Sequence, residues 1–168
     1  MKWPPIRFRF SERTLMSAEQ RLTQLGLELP SPPKPVGVYK PIVVVGNLAY
    51  LSGHGPLKSD GTLIIGKLGD DMTLEQGQQA ARQTGLAMLA SLRTALGSLD
   101  RVTRVIKLLG LVRSADNFDQ QPAVINGCSQ LFADVFGQDL GVGARSAIGT
   151  NALPSGIAVE IEGIFEIQ

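Results

Sequence analysis

The sequence predicts an α+β layer, in which one mixed β-sheet carries two helices on one face. Three observations point there. Two stretches repeat apolar residues at helical spacing: Ala81, Gly85, Met88, Leu89, Leu92 and Leu96 in the first, and Val124, Ile125, Cys128, Leu131, Phe132 and Val135 in the second. Runs rich in Val, Ile and Leu at 42–52, 105–112 and 157–167 read as strands. The order is hairpin, short strand, helix, strand, helix, two strands, so only two good helices cover many apolar strand residues. One face of the sheet is left bare and hydrophobic, and a homo-oligomer is the simple remedy.

The elements follow in order. Residues 1–33 read as an extension and 34–168 as the main domain. Within the extension, Ser17 and Gln20 form a capping-box pair that opens a short helix ending near Leu25-Gly26. The sequence is equally compatible with a start at Met1 and with one at Met16. LPSPPKPVG then forms a proline-rich, extended connector. Gly46-Asn47 sits between two apolar runs and suits a two-residue hairpin turn. The second strand runs into Ser52-Gly53-His54-Gly55, where glycines let a ligand or another backbone approach closely. A short strand is expected at Leu63-Ile64-Ile65. Thr73 and Gln76 cap the longest helix and Gly97 closes it. Val105–Val112 is too apolar for an exposed strand and so should be internal. Pro122 belongs in the first turn of the second helix, which Gly137 ends.

Composition narrows the function. Sixteen basic residues balance fifteen acidic ones, with no basic block, which argues against a dedicated nucleic-acid binder or an electrostatic membrane binder. No apolar run reaches bilayer length, and the head lacks an apolar h-region, so the expectation is a cytoplasmic protein. One cysteine, Cys128, and one histidine, His54, rule out an intrachain disulfide and make a metal site implausible. His54 reads as a loop histidine and Cys128 as a small core residue.

The most informative stretch is Gly143–Ile167. Glu160 and Glu162 sit two residues apart in an Ile/Val-rich strand, so both point to one face. Arg145 lies on the preceding extended run, across the turn Leu153-Pro154-Ser155-Gly156. An arginine and a carboxylate on neighbouring strands are either an ion pair or two halves of a polar pocket. A simple hairpin at Pro154-Ser155 would set Arg145 opposite Ile164, away from Glu160.

These residues carry a resemblance. Val45-Gly46-Asn47-Leu48, Ser52-Gly53, the strand 105–112, Arg145-Ser146 and Leu153-Pro154 through Glu160-Ile161-Glu162 together resemble the Rid/YjgF family. Gly77-Gln78-Gln79-Ala80-Ala81-Arg82, Leu99-Asp100-Arg101-Val102 and Ala144-Arg145-Ser146-Ala147-Ile148-Gly149 place the likeness with a less-studied branch. The resemblance implies a chorismate-mutase-like subunit, a homotrimer and clefts between subunits. It implies no cofactor, and a site at Tyr39, Ser52, Asn126, Arg145 and Glu160. It also implies hydrolysis of reactive enamines and imines, such as 2-aminoacrylate, to 2-keto acids and ammonia. Two departures bear on the pocket wall. Ala147 stands where cysteine is frequent, and Gly55 where an apolar residue is usual.

In that chemistry Arg145 anchors the substrate carboxylate through its planar fork, and Glu160 handles the proton of an attacking water. The alternatives are a subunit ion pair for Arg145 and a structural pair for Glu160 or Glu162. Tyr39 either closes the pocket or packs at an edge. Ser52 either faces the ligand or serves the turn. Asn126 is expected to tie down a loop. A non-catalytic binder of small carboxylates or carbonyl compounds is the competing function. Endoribonuclease activity follows only from an old label of the family, and the near-neutral charge weighs against it.

Overall fold

The computed structural model describes residues 16–168; the head of the chain, with the choice between Met1 and Met16 as start, lies outside the described residues. Helix α1 (Ala18–Gln24) carries the capping box expected of Ser17 and Gln20. A hairpin of β1 (Ile42–Val45) and β2 (Leu48–His54) turns on Gly46, whose φ of 58° is one that glycine adopts without penalty. Helix α2 (Leu74–Leu96) has the Thr73/Gln76 capping box and stops at Gly97 in the left-handed region. β3 (Val102–Arg113), α3 (Gln121–Phe136), the short α4 (Gln138–Gly141), β4 (Ala144–Thr150) and β5 (Val159–Ile167) complete the chain.

The five strands form one sheet in the order β1-β2-β5-β3-β4. Only β3 and β4 run parallel; the other neighbours are antiparallel. Both expected helical stripes are buried against the sheet. Phe132 of α3 meets Phe165 of β5 edge-on, with ring centroids 5.7 Å apart. Along β5, Val159, Ile161, Phe165 and Ile167 turn into this core, and Glu160, Glu162, Ile164 and Glu166 turn to the other face. That second face is open in the chain: Val43, Val45, Tyr50 and Ile148 are all about half exposed. The mixed sheet, the two covering helices and the bare face are thus as expected.

Two expectations need correcting. The segment Leu63-Ile65 is not a ladder strand; it makes single bridges, Leu57 to Leu63 and Ile65 to Ile157. The last two strands do not form a hairpin. β4 returns from α3 parallel to β3, as a strand-helix-strand crossover requires, and so takes the outer edge. β3 then stands between β4 and β5, and Arg145 lies beside Leu108 rather than Ile164.

Candidate functional site

The end of β2 is irregular in a way that builds a site. Leu51 pairs with Gly163 and His54 with Ile161, so Ser52 and Gly53 together oppose the single residue Glu162. This is a β-bulge, which re-aims side chains and interrupts the ladder. At Gly53 a Cβ would overlap Glu160 Oε1, so the glycine is what lets the carboxylate lie against the strand. Burial, and then the neighbouring Glu162 charge, raise the Glu160 pKa above its usual value. Glu160 takes no part in the ion pairs of the described residues. A half-buried carboxylate that holds its proton more tightly than usual suits acid–base work.

Tyr39, just before β1, and Ser52 line one hollow of about 170 Å³ together with Gly53. The Ser52 hydroxyl donates to the Lys40 carbonyl at 2.7 Å, and its backbone N–H donates to Pro41 O at 3.0 Å. Ser52 therefore ties the connector to the bulge, which answers the turn reading, while remaining on the wall of the hollow.

His54 is not a loop residue. It ends β2, is 3% exposed, and points into the core. Its Nδ1 lies 2.6 Å from Ser52 O and its Nε2 2.8 Å from Ser91 Oγ. A carbonyl can only accept, so Nδ1–H donates to it, and in the neutral ring Nε2 accepts from the Ser91 hydroxyl. The ring pins the bulge to α2. Burial depresses its pKa below the usual 6.5, so the unfolded chain takes up a proton that the folded chain refuses. Stability should therefore be full above pH 6.5 and fall as pH drops toward the depressed native value. Melting curves between pH 7.5 and 5.5 should show this slope in the wild type and a flatter one in His54→Gln; parallel curves would refute it.

Arg145 occupies the other side of the sheet. Its partner Leu108 on β3 is a core residue, so the side chain emerges on the helix-covered face beside α3. Nη1 donates to Asn126 Oδ1 at 2.8 Å and to Ser129 Oγ at 3.0 Å, and Nη2 donates to Pro122 O at 3.2 Å. All three acceptors are neutral, and no carboxylate among the described residues pairs with this guanidinium. Asn126 does not tie down a loop; it sits within α3 and orients Arg145. Ser129 is a residue that sequence reasoning misses. Its spacing of three from Asn126 puts both on one helix face, and that is the available signal. Ala147 follows on the same face and packs toward the core. Cys128 of α3 is fully buried, with its thiol pushed up to about 12 by that burial, so it offers no nucleophile.

Within one chain, then, Glu160, Ser52 and Tyr39 gather around the bulge, and Arg145 and Asn126 gather at α3. Arg145 and Glu160 project from opposite faces of strands that have β3 between them. Arg145 and Glu160 do not pair within the chain, as the sequence suggests, but the cause is the intervening β3 rather than the register of a hairpin. Among the described residues, no group of three or more His, Cys, Asp or Glu side chains is placed to hold a metal. No helix there is long and apolar enough to cross a membrane.

Residues 19–157 match the family model "YjgF/chorismate_mutase-like, putative endoribonuclease". The chain belongs to the YjgF/Rid family. This YjgF/Rid chain is 40% identical over 147 residues to Protein TCP17 of Trypanosoma cruzi, covering 88% of this chain and 92% of that one. It is 30% identical to a 2-iminobutanoate/2-iminopropanoate deaminase of Dermatophagoides farinae, covering 84% and 95%. Among solved structures it is similar to Atu1372 of Agrobacterium tumefaciens, a protein of unknown function. That match has a TM-score of 0.83 and 40% identity, and covers 90% of this chain and 92% of the other.

Proposed function

We propose that this protein hydrolyses reactive enamine and imine intermediates of the 2-imino acid class to 2-keto acids and ammonia. The cleft that does so is completed by a second copy of the chain in a homotrimer. The observation that carries the reading is the separation of the two charged groups. Arg145 is held by neutral oxygens with no counter-ion among the described residues, Glu160 is likewise unpaired there, and they face opposite sides of the sheet. A carboxylate-bearing substrate can meet both only where Arg145 of one copy reaches the bulge of another. The half-exposed apolar residues of the open face give the copies a reason to associate. The deaminase among the relatives supports the choice of reaction.

In this mechanism the guanidinium takes the substrate carboxylate in two parallel hydrogen bonds. Glu160 accepts a proton from water as its oxygen bonds to the imine carbon. That proton passes to nitrogen, giving the carbinolamine. Glu160 then takes the carbinolamine hydroxyl proton and hands it to nitrogen as well, and the C–N bond breaks as the C=O forms, releasing ammonia and leaving the 2-keto acid. An enamine such as 2-aminoacrylate first tautomerises to the imine. Tyr39 and Ser52 border the space beside the reacting carbon.

The test is ammonia release from freshly generated 2-imino acids by wild type, Arg145→Ala, Glu160→Gln and the two variants co-expressed. Each variant alone should be nearly inactive. Random assembly should restore about a quarter of wild-type activity, since each site needs one intact group from each of two copies. A mixed oligomer as inactive as its parents would place the site within one chain. No wild-type turnover, with 2-keto acids still bound, would make this a binding protein.

A further inference from the structure

We propose that the hollow under the proline-rich connector is the subsite for the substrate's side chain, and that it selects apolar groups of leucine to phenylalanine size. This rests on the imino-acid reading above. The hollow holds about 170 Å³. Aliphatic-walled cavities of about 150 Å³ accept benzene. Its walls include Pro35, Leu63, Pro154 and Ile157 together with Tyr39, Ser52 and Gly53, and the Glu160 carboxylate lies against Gly53. A 2-imino acid whose reacting carbon sits at that carboxylate can direct its side chain into the hollow.

Two features make the space. The first is Gly55. A Cβ built there would stand 3.0 Å from Ile157 Cδ1 and 3.8 Å from Leu63 Cδ2, so any larger residue would push these two walls into the hollow. Glycine at 55 lets Ile157 and Leu63 stay back. The second is the connector. Pro30, Pro32, Pro33 and Pro35 stiffen it, and it is fixed at both ends. At one end α1 is docked: Glu19 accepts from Leu99 N at 3.0 Å and pairs with Arg93, and Arg21 donates to Val135 O. At the other, Ser52 holds Lys40 O and Pro41 O. The wall is thus anchored at its two ends and built largely of proline. Lys34 also borders the hollow, but as an exposed residue it can keep its ammonium in water.

The experiment is calorimetric titration of the full chain with pyruvate, 4-methyl-2-oxopentanoate, phenylpyruvate and 2-oxoglutarate, the stable keto-acid counterparts of the imines. In the wild type, 4-methyl-2-oxopentanoate and phenylpyruvate should bind at least about tenfold tighter than pyruvate. Gly55→Val should cut the phenylpyruvate-to-pyruvate affinity ratio about tenfold or more, and Gly55→Ala should cut it less. Equal affinities in the wild type, tighter binding of 2-oxoglutarate, no binding of any probe, or a uniform loss in the Gly55 variants would each overturn the proposal. The readout does not depend on turnover. The predicted binding order without ammonia release would support the subsite and refute the deaminase; turnover with no size preference in binding would do the reverse.

Discussion

Arg145→Ala should lower kcat/KM for 2-imino acids by about 10²-fold or more while the oligomer stays intact by light scattering. The expectation follows from what the guanidinium touches. Three neutral acceptors on α3 fix its plane and leave its charge without a counter-ion, so the field it presents is available to a ligand carboxylate. Removing one side of a charged, hydrogen-bonded pair costs roughly 2–5 kcal/mol, which is where the 10²-fold figure comes from. Inside the folded chain the alanine variant forgoes only hydrogen bonds to neutral oxygens at the edge of α3. Each of these contributes about 1 kcal/mol, so folding should survive. Arg145→Lys should recover only part of the activity, because an ammonium keeps the charge but not the fork. A loss under threefold in the alanine variant would remove Arg145 from substrate binding.

Glu160→Gln should lower kcat by roughly 10²–10⁴-fold with a smaller change in KM, as expected for a proton-transfer group. The acidic limb of the pH profile should vanish with it. Stability should move the opposite way. The native pKa of Glu160 is raised, so the folded chain binds the proton more tightly than the unfolded chain, and stability drains away as pH rises through that window. Glutamine, uncharged at every pH, should therefore melt higher than the wild type at pH 7. Gly53→Ala offers an independent route to the same loss. Its Cβ would displace the carboxylate, the free end of a flexible side chain, so activity should fall while stability changes by about 1 kcal/mol or less. A Glu160→Gln protein with full kcat would end the acid–base assignment.

The local signals in the sequence are reliable where one residue decides one feature. Both capping boxes, the glycine stop after Leu96 and the two apolar stripes appear where the spacing puts them. The five candidate site residues come from the resemblance, and how the fold groups them is not legible in the sequence. The strands of Arg145 and Glu160 look like hairpin partners, with Arg145 opposite Ile164, because only a turn separates them in the sequence. The crossover through α3 sends β4 to the far edge and drops β3 between them, a long-range pairing that no local pattern encodes. His54 misleads for a related reason. Two flanking glycines signal a loop, whereas the bulge turns the ring inward to Ser91, a residue 37 positions away.

The bulge at Ser52-Gly53 also separates the fate of the fold from the fate of the chemistry. Dropping one residue from a regular strand inverts every side chain beyond it. At the bulge the count works the other way. Leu51 and His54 both face the core, with Ser52 and Gly53 together between them opposite Glu162. Without Gly53, Leu51 and His54 would stand two apart, still inward, and Ser52 alone would face Glu162 in an ordinary ladder. Only the recess that admits the Glu160 carboxylate would be gone. If Glu160 carries the proposed chemistry, a single in-frame codon deletion would silence a descendant while leaving the inward-facing residues of β2 in place. Shape shared without activity would then be the natural inheritance of a site built on one surplus residue.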